Sequence, residues 1–272
     1  ENVATTTAVK ETDGILLLYQ GEPAQNYYYS TSCGAGTDAG VWKGAAETDT
    51  SYMYAGRVSG EKTDVTGEEL CQEEIFRGFI SKAHEEDLEK DEPWYRWTYT
   101  VENLREDTIY SRLKERYQAA PESVLTKKEG DYYVSEPIEA FGEIRELTGA
   151  KRGTGGVAEE LFIKTDQSTI KVISEYNIRY VLCDGLSSVV RQDNSSTVPG
   201  TLLPSGFFVL DVGKKGDNVV GYTLTGGGYG HGVGMSQNGA KALGKQNVSY
   251  EQILALFYPG CTLADAAIEN GQ

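Results

Sequence analysis

Gly226-Gly-Gly-Tyr-Gly-His-Gly-Val-Gly-Met-Ser-Gln-Asn-Gly-Ala240 is the stretch of this sequence that says most about the fold and its use. Six of its first nine residues are glycine, and they surround His231, one of two histidines in the chain. Glycine loses more backbone freedom on folding than other residues, so the run implies positive φ angles or a close approach of the backbone. A flexible linker would instead be rich in serine. We therefore predict a functional loop that leads into a helix beginning near Gln237.

The composition limits the classes of partner. The chain has 272 residues, 41 acidic and 25 basic, and a formal net charge of −16. Nucleic-acid binding depends on Lys and Arg meeting phosphates, so we expect no nucleic-acid partner. The longest apolar run, residues 15–19, is far shorter than the ~20 residues of a membrane-spanning helix, so we expect no transmembrane segment. A neutral partner such as a polysaccharide is compatible with this charge.

The four cysteines, Cys33, Cys71, Cys183 and Cys261, are widely spaced and form no C-x-x-C pair. Zinc sites usually combine closely spaced cysteine and histidine ligands, and that spacing is missing here. We therefore expect no metal and no cofactor. The cysteines are either free and packed in the core or joined in one disulfide, and the sequence does not choose a pairing.

Local patterns predict an α+β fold in which antiparallel strands predominate. Residues 8–32 are predicted to form a β-hairpin, with strands at 15–19 and 24–30 around a turn at 20–23. Apolar alternation predicts further strands at 94–101, 144–147, 157–164, 169–173 and 177–183, and a hairpin of 207–212 with 219–225.

Helices are predicted in residues 59–93, at 104–117, after Gln237, and at the last element, where Ser249 and Gln252 match a capping box. The segment 59–93 is strongly acidic, and its carboxylates could indicate acid–base chemistry. Runs of charge are usually solvated surface, so we interpret these acidic side chains as the exposed face of an amphipathic helix.

Four passages, in order and spacing, resemble the SpoIID/LytB family, which comprises stage II sporulation protein D and relatives of the LytB amidase enhancer. They are Tyr29-Ser-Thr-Ser-Cys-Gly34, Asn177-Ile-Arg-Tyr-Val-Leu182, Gly228-Tyr-Gly-His-Gly-Val-Gly-Met-Ser-Gln237, and Ser249-Tyr-Glu-Gln-Ile-Leu254 followed by Phe257-Tyr-Pro-Gly260. The resemblance extends over nearly the whole chain. The His-Gly-Val-Gly-Met-Ser-Gln passage is specific, whereas Ser-Thr-Ser alone would be weak.

The resemblance implies that the chain is part of a lytic transglycosylase that cleaves peptidoglycan glycan strands and leaves a 1,6-anhydro-muramyl product. Such an enzyme uses one carboxylic acid, which protonates the glycosidic oxygen and then accepts a proton from the muramyl 6-hydroxyl. The alternative within the same family is a non-catalytic wall-binding module of the amidase-enhancer type. Either interpretation implies peptidoglycan as the partner and an extracytoplasmic place, at the cell wall or at the outer face of a membrane, in a Gram-positive, endospore-forming bacterium.

The chain also departs from the family pattern. The family's catalytic glutamate lies in a passage resembling Gly-Val-x-x-x-Glu-Met-Pro, which this chain lacks, and no acidic residue here matches it. We therefore expect the C-terminal two-thirds of the family domain, inactive alone, with a missing N-terminal segment or other wall hydrolases as further partners. Residues 1–58 and 140–265 would form the core, 59–139 an acidic, partly helical insertion or subdomain, and 266–272 a tail.

A second departure concerns zinc. Some sporulation members bind it through histidines near the Ser-Thr-Ser passage together with cysteines. Here Tyr29 and Ala35 stand where such histidines occur, and Cys33 lacks those partners. The resemblance therefore implies that a zinc site has been lost.

The catalytic residue is unknown, and nine residues are candidates for substrate binding: His231, Tyr229, Gly232, Ser236, Gln237, Ser30, Thr31, Ser32 and Arg179. Three of them have structural alternatives. His231 either contacts a sugar, positions the missing acid, or is satisfied by backbone groups in a tight turn. Ser236 is either a ligand contact or a helix N-cap. Arg179 either pairs with a carboxylate of a muramyl peptide or forms a structural ion pair with a glutamate.

Overall fold

The computed structural model describes residues 3–42, 50–60 and 63–265, and the predicted tail lies outside them. Within these ranges the α+β class is confirmed by six helices and seventeen strands. The helices are α1 (Val3–Glu11), α2 (Glu73–Ile80), α3 (Glu106–Ala119), α4 (Glu175–Leu182), α5 (Gln237–Lys245) and α6 (Tyr250–Phe257). The strands are β1 (Ile15–Tyr19), β2 (Glu22–Pro23), β3 (Tyr28–Tyr29), β4 (Ala35–Gly36), β5 (Gly56–Arg57), β6 (Trp97–Val101), β7 (Val124–Glu129), β8 (Tyr132–Val134), β9 (Ile144–Arg152), β10 (Ala158–Thr165), β11 (Thr169–Ile173), β12 (Val189–Arg191), β13 (Ser196–Thr197), β14 (Phe208–Lys215), β15 (Asn218–Gly226), β16 (Met235–Ser236) and β17 (Thr262–Asp265).

Two five-stranded antiparallel sheets form the larger part of the fold. Their strand orders are β8-β7-β11-β10-β9 and β13-β12-β6-β15-β14. Side chains of β6 alternate between buried and exposed, as its aromatic and polar alternation predicts. Helices α3 and α4 share one hydrophobic core with these sheets. Its centre includes Trp97, Tyr99, Leu113, Leu161 and Leu182, all buried.

A second core lies beside the N-terminal part of the chain. Helices α2, α5 and α6 contribute Phe76, Leu243 and Phe257 to it, and the β17-β1-β2 sheet packs against it through Leu17. β1 turns into β2 through Gln20 and Gly21, whose φ angles of 54° and 88° are both positive. Positive φ at both central residues is the geometry of a type I′ hairpin turn, whose twist matches that of the strands.

Several local predictions are confirmed in the described residues. The hairpin of β14 and β15 is present, as are α3, α5 and the capping box of Ser249 and Gln252 at the start of α6. Residues 59–139, predicted as an insertion or subdomain, supply β6, β7 and β8 to the two large sheets. No helix among the described residues has the length and apolar character needed to cross a bilayer.

Three local predictions are wrong in part or in full. Residues 177–183 do not form a strand: 177–182 belong to α4, where Ile178 and Leu182 are buried one turn apart on the core side, and Cys183 is the C-cap of that helix. The second strand of the first hairpin is reduced to β3, which pairs with β16 rather than with β1. The helix in the acidic segment spans only Glu73–Ile80. Beyond its end, Asp87 and Glu89 are buried, so the interpretation of this segment as solvated surface is wrong for these two residues.

The core position of Leu161 gives a test of the packing. Leu161 on β10 is 1% exposed, whereas Leu186 is 64% exposed. We expect Leu161→Ala to lower the free energy of unfolding by about 2–5 kcal/mol, because it removes buried methyl groups and leaves a cavity. The same substitution at Leu186 should change it by less than about 0.5 kcal/mol. Urea denaturation of both variants makes the comparison, and equal effects would contradict the core assignment.

Candidate functional site

The glycine-rich loop, residues 226–238, lies directly against the Ser-Thr-Ser passage, residues 28–37. β16 pairs in parallel with β3, which places Met235 beside Tyr28 and Ser236 beside Tyr29. The backbone of Tyr229 is held from two sides, since its carbonyl accepts the Thr31 N–H at 3.1 Å and its N–H donates to the Thr31 carbonyl at 2.8 Å. The structure therefore brings together two passages that are about 200 residues apart in sequence.

The glycines of the loop have the backbone conformations that their density implies. Four of them, at positions 228, 230, 232 and 234, have positive φ angles. A Cβ atom at Gly232 would lie 2.4 Å from the ring of Phe207, and one at Gly234 would lie 2.0 Å from the Tyr27 carbonyl oxygen. Both positive φ and close approach therefore require glycine here.

A buried carboxyl group, that of Glu89, forms hydrogen bonds with both passages. Its Oε1 accepts the backbone N–H of Ser32 at 2.9 Å and the hydroxyl of Ser236 at 2.7 Å, and the residue is 1% exposed. Burial raises the pKa of Glu89 to about 8, although these hydrogen bonds lower it in part. The group is therefore largely protonated and uncharged at neutral pH. Ser236 also accepts the N–H of Gly239, so it is the N-cap of α5.

A second buried acid supports the middle of the Ser-Thr-Ser passage. Asp87 is paired with Arg57 and accepts the hydroxyl of Tyr95 at 2.7 Å. Arg57 also donates through Nε to the Gly34 carbonyl at 2.9 Å. A Cβ atom at Gly34 would collide with the Asp87 carboxylate at 1.8 Å. Burial raises the pKa of Asp87, and its partners partly offset this effect. Sequence reasoning missed both buried acids.

Cys33 lies in the same passage and is buried. Its thiol contacts the Ala35 carbonyl at 3.7 Å, and burial raises the pKa of the thiol to about 12, so it is not a thiolate at neutral pH. All four cysteines are free in the structure. In the described residues no group of three or more His, Cys, Asp or Glu side chains is placed to hold a metal ion.

The imidazole of His231 forms hydrogen bonds with backbone groups. Nδ1 accepts the N–H of Val233 at 3.1 Å, and the backbone of Tyr28 forms a further hydrogen bond with the ring. Burial, with a contribution from the charge of Arg179, lowers the pKa of His231 to about 4, so the imidazole is neutral at pH 7. The rings of Trp42 and His231 meet in a T-shaped contact at a centroid distance of 5.0 Å. This is the geometry of a histidine satisfied by backbone groups.

Arg179 on α4 is occupied by the protein itself. It donates to Glu175 at 2.8 Å and to the carbonyls of Leu203 and Pro204 at 2.9 and 3.1 Å. The Pro204 carbonyl also accepts the N–H of Gly230 at 2.9 Å. The structural ion pair with a glutamate is therefore present. Arg179 also connects α4 to the glycine-rich loop, through the shared carbonyl of Pro204.

The nine candidate residues divide by exposure. Tyr229 and Gln237 are exposed, and Ser30 and His231 are half-buried. The buried members are Thr31, Ser32, Gly232, Ser236 and Arg179. The first group can contact a ligand directly, and the second holds the loops in place. Substrate binding by any of them stays a prediction.

The exposed and half-buried members, Tyr229, Gln237, Ser30 and His231, lie where the glycine-rich loop meets the Ser-Thr-Ser passage, and we call this surface the rim. A separate cleft of about 740 Å³ is lined by residues that include Asp38, Met53, Arg57 and Thr154, and by none of the candidates. The rim suits a ligand that lies across a surface better than one enclosed in a cavity.

The state of Glu89 predicts how stability depends on pH. Its pKa is about 8 in the folded protein and near 4.5 when unperturbed, so the folded state binds this proton more tightly. The stabilisation is complete below pH 4.5 and is lost as the pH rises through 8, by at most about 1.4 kcal/mol per unit. Glu89→Gln keeps a neutral side chain and removes this dependence. We therefore expect the variant to gain stability relative to the wild type between pH 5 and pH 9.

Chemical denaturation at both pH values measures this change. Glu85→Gln is the matched control, because the Glu85 side chain is 89% exposed. If the difference in unfolding free energy between the wild type and Glu89→Gln is the same at both pH values, Glu89 is ionised in the folded protein and the assignment fails.

Known bacterial proteins resemble this chain in sequence. The Amidase enhancer of Bacillus subtilis (strain 168) is 25% identical over 264 residues, which is 96% of this chain and 33% of that protein. An uncharacterized protein of Brachyspira hyodysenteriae (strain ATCC 49526 / WA1) is 37% identical over 79 residues, 29% of this chain and 20% of that protein. The chain thus spans a third or less of the length of these two relatives. A family described as "Domain of unknown function (DUF8618)" matches residues 39–234, most of the chain, and the chain belongs to that family.

Proposed function

We propose that this chain binds the glycan strands of bacterial peptidoglycan, as a domain of a wall protein of the amidase-enhancer type. The observation that carries the proposal is the exposed rim formed where the glycine-rich loop meets the Ser-Thr-Ser passage. Tyr229, Gln237 and Ser30 present an aromatic ring, an amide and a hydroxyl there. Such groups match the apolar faces and hydroxyl or acetamido groups of amino sugars.

The rigidity of the rim supports binding. Ser30 and Thr31 both donate their backbone N–H to the Tyr229 carbonyl, and Asn238 donates its N–H to the Ser30 carbonyl at 3.0 Å. Side chains on a fixed backbone lose less conformational entropy on binding, so weak contacts with a neutral polymer give more affinity. An open rim also accommodates an extended strand that continues in both directions.

The charge and the relatives agree with this ligand. A net charge of −16 repels polyphosphates but leaves binding of uncharged sugar hydroxyls unaffected. The printed name of the Bacillus subtilis relative, which aligns with 96% of the chain, supports a peptidoglycan-related role. A place outside the membrane, at the wall of a Gram-positive bacterium, is part of the same proposal.

Cleavage of the strand by lytic transglycosylation is the finer proposal, and the neutral imidazole in the loop favours it. A neutral His231 does not stabilise a neighbouring carboxylate as an imidazolium would, so it leaves a carboxylic acid beside it protonated. In the described residues, however, the carboxyl groups with raised pKa are those of Asp87 and Glu89, and both residues are buried. We therefore assign glycan binding to this chain and leave proton donation to an acid outside its described residues.

Retention on peptidoglycan tests the binding proposal. We expect residues 1–272 to sediment with purified, protein-free sacculi. Gln237→Ala should lower the affinity by about three- to tenfold, because it removes hydrogen bonds from the exposed start of α5. Gln246→Ala, at the exposed C-cap of the same helix, is the matched control and should not change retention. A wild-type chain that stays in the supernatant would refute binding.

Product analysis tests the finer proposal. We expect residues 1–272 to release no anhydro-muramyl sugars from glycan strands, because no exposed acid with a raised pKa is present in the described residues. Mass spectrometry of the soluble products makes the measurement, with a known lytic transglycosylase as the positive control. Anhydro products from this chain alone would show that it carries its own catalytic acid.

A further inference from the structure

A cleft of about 520 Å³ opens from the surface into the larger hydrophobic core. Its floor is formed by buried apolar side chains from four elements, β9, β10, α4 and β14: Leu147, Leu161, Ile178 and Phe208. None of the nine candidate residues of the glycine-rich loop, the Ser-Thr-Ser passage and α4 lines it. Ligand sites are usually concave, about 300–1,000 Å³ in volume and lined mainly by apolar side chains. The cleft therefore has the size and the lining of a binding site.

The cleft is elongated along β14. Phe208, Leu210 and Val212 are two residues apart on this strand, so they lie on one face of it, and all three line the cleft. Phe208 is 3% exposed, Leu210 is half-buried and Val212 is 36% exposed. At a rise of about 3.3 Å per residue, this row extends roughly 13 Å from the core to the surface. A narrow, extended group fits along such a row better than a compact one.

Gly149 on β9 keeps the cleft open. It lies opposite Leu161 on β10, so a side chain here would be on the same face of the sheet as Leu161 and would point into the cleft. A Cβ atom at Gly149 would meet no atom of the described residues within 4 Å, and the φ angle of Gly149 is not positive. The register shift between Gly149 and Lys151 does not require glycine either, because the bulges that favour glycine need a positive φ. Glycine in a strand can instead mark a place where a ligand approaches closely.

The charged side chains around the mouth of the cleft are paired with one another or with their neighbours. Five of them line it: Glu73, Arg77, Lys151, Arg152 and Glu160. Their ion pairs are Arg77 with Asp211 at 2.9 Å, Arg152 with Glu73 at 2.6 Å, Lys151 with Glu159 at 2.6 Å and Lys171 with Glu160 at 3.4 Å. The mouth therefore offers polar groups in which each charge is already balanced, and it complements an uncharged polar group better than a charged one.

We infer that this cleft binds the alkyl or acyl chain of a single amphiphile whose head group is uncharged. The chain lies along the row from Val212 to Phe208, and the head group lies at the paired charges of the mouth. Each methylene that enters the cleft leaves water for an apolar lining, so each should strengthen binding about fourfold. The site shares no residue with the rim, so the inference does not depend on the proposed function.

Titration calorimetry with n-alkyl tetraethylene glycol ethers, kept below the concentrations at which they form micelles, tests the inference. We expect the affinity of the wild type to rise about fourfold per methylene from the hexyl to the decyl ether. It should level off at the dodecyl ether, whose chain is longer than the row of roughly 13 Å. Decanoate, which combines a similar chain with a carboxylate, should bind more weakly than the decyl ether because the mouth has no unbalanced cation.

Substitutions at Gly149 locate the binding. Gly149→Val fills the cleft, so it should abolish binding without lowering the midpoint of thermal unfolding, because its Cβ atom enters open space. Gly149→Ala should bind, but its affinity should level off at a shorter chain. Gly213→Val on β14 is the matched control, since Gly213 is on the face opposite to Val212 and its Cβ atom would lie 3.7 Å from the Gly221 carbonyl oxygen, an ordinary contact. This variant should bind as the wild type does.

Thiol labelling gives a second, independent location of the ligand. Cys71 lines the cleft and is half-buried, whereas Cys261 is half-buried elsewhere. The decyl ether should slow the alkylation of Cys71 by iodoacetamide and leave that of Cys261 unchanged, as measured by peptide mass spectrometry.

An affinity that does not depend on chain length, or that persists in a folded Gly149→Val protein, overturns the inference. Tighter binding of decanoate than of the decyl ether overturns the uncharged head group. If the wild type self-associates on size-exclusion chromatography and Gly149→Val does not, the cleft is occupied by a second copy of the chain, and the inference is likewise wrong.

Discussion

Glu89 accepts hydrogen bonds from the backbone of Ser32 and from the hydroxyl of Ser236, and the arrangement of the rim depends on this buried contact. The Ser236 hydroxyl both donates to Glu89 and caps α5 through the Gly239 N–H. One carboxyl group therefore fixes the Ser-Thr-Ser passage, the end of the glycine-rich loop and the start of a helix. Loss of any of these contacts would leave a buried polar group unsatisfied, at about 1–3 kcal/mol for a neutral group.

Opposing effects act on the charge of Glu89. The hydrogen bonds from Ser236 and Ser32 favour the carboxylate, and so does the nearby N-terminus of α5. Burial, together with Glu92 and Asp87, favours the protonated form, and burial is the largest effect. Asp87 shows a different balance, because Arg57 and the Tyr95 hydroxyl both contact its carboxylate. The two acids thus support adjacent parts of one passage, Glu89 as a neutral acceptor and Asp87 through an ion pair.

Features that depend on nearby residues could be predicted from the sequence. The glycine-rich loop, the hairpin of β14 and β15, and the capping box of α6 are set by φ angles, alternation or hydrogen bonds within a few residues. The supports of the site could not, because Glu89 is 57 residues from Ser32 and 147 residues from Ser236. In sequence Glu89 stands in an acidic run where solvated and buried carboxylates look alike. The sequence of α4 predicts a strand as readily as a helix, because eight residues of mixed polarity fit either periodicity.

The location of the raised pKa values bears on what the chain does. A general acid needs burial to stay protonated near neutral pH, but it must also reach the glycosidic oxygen. Glu89 meets the first condition and fails the second, since it is 1% exposed: Oε1 accepts hydrogen bonds from Ser32 and Ser236, and Oε2, which has no partner among the described residues, is buried. The exposed side chains of the rim, Tyr229 and Gln237, carry no carboxyl group. The chemistry of this chain therefore separates into a buried acid that shapes the rim and an exposed, uncharged surface to which we propose that a glycan strand binds.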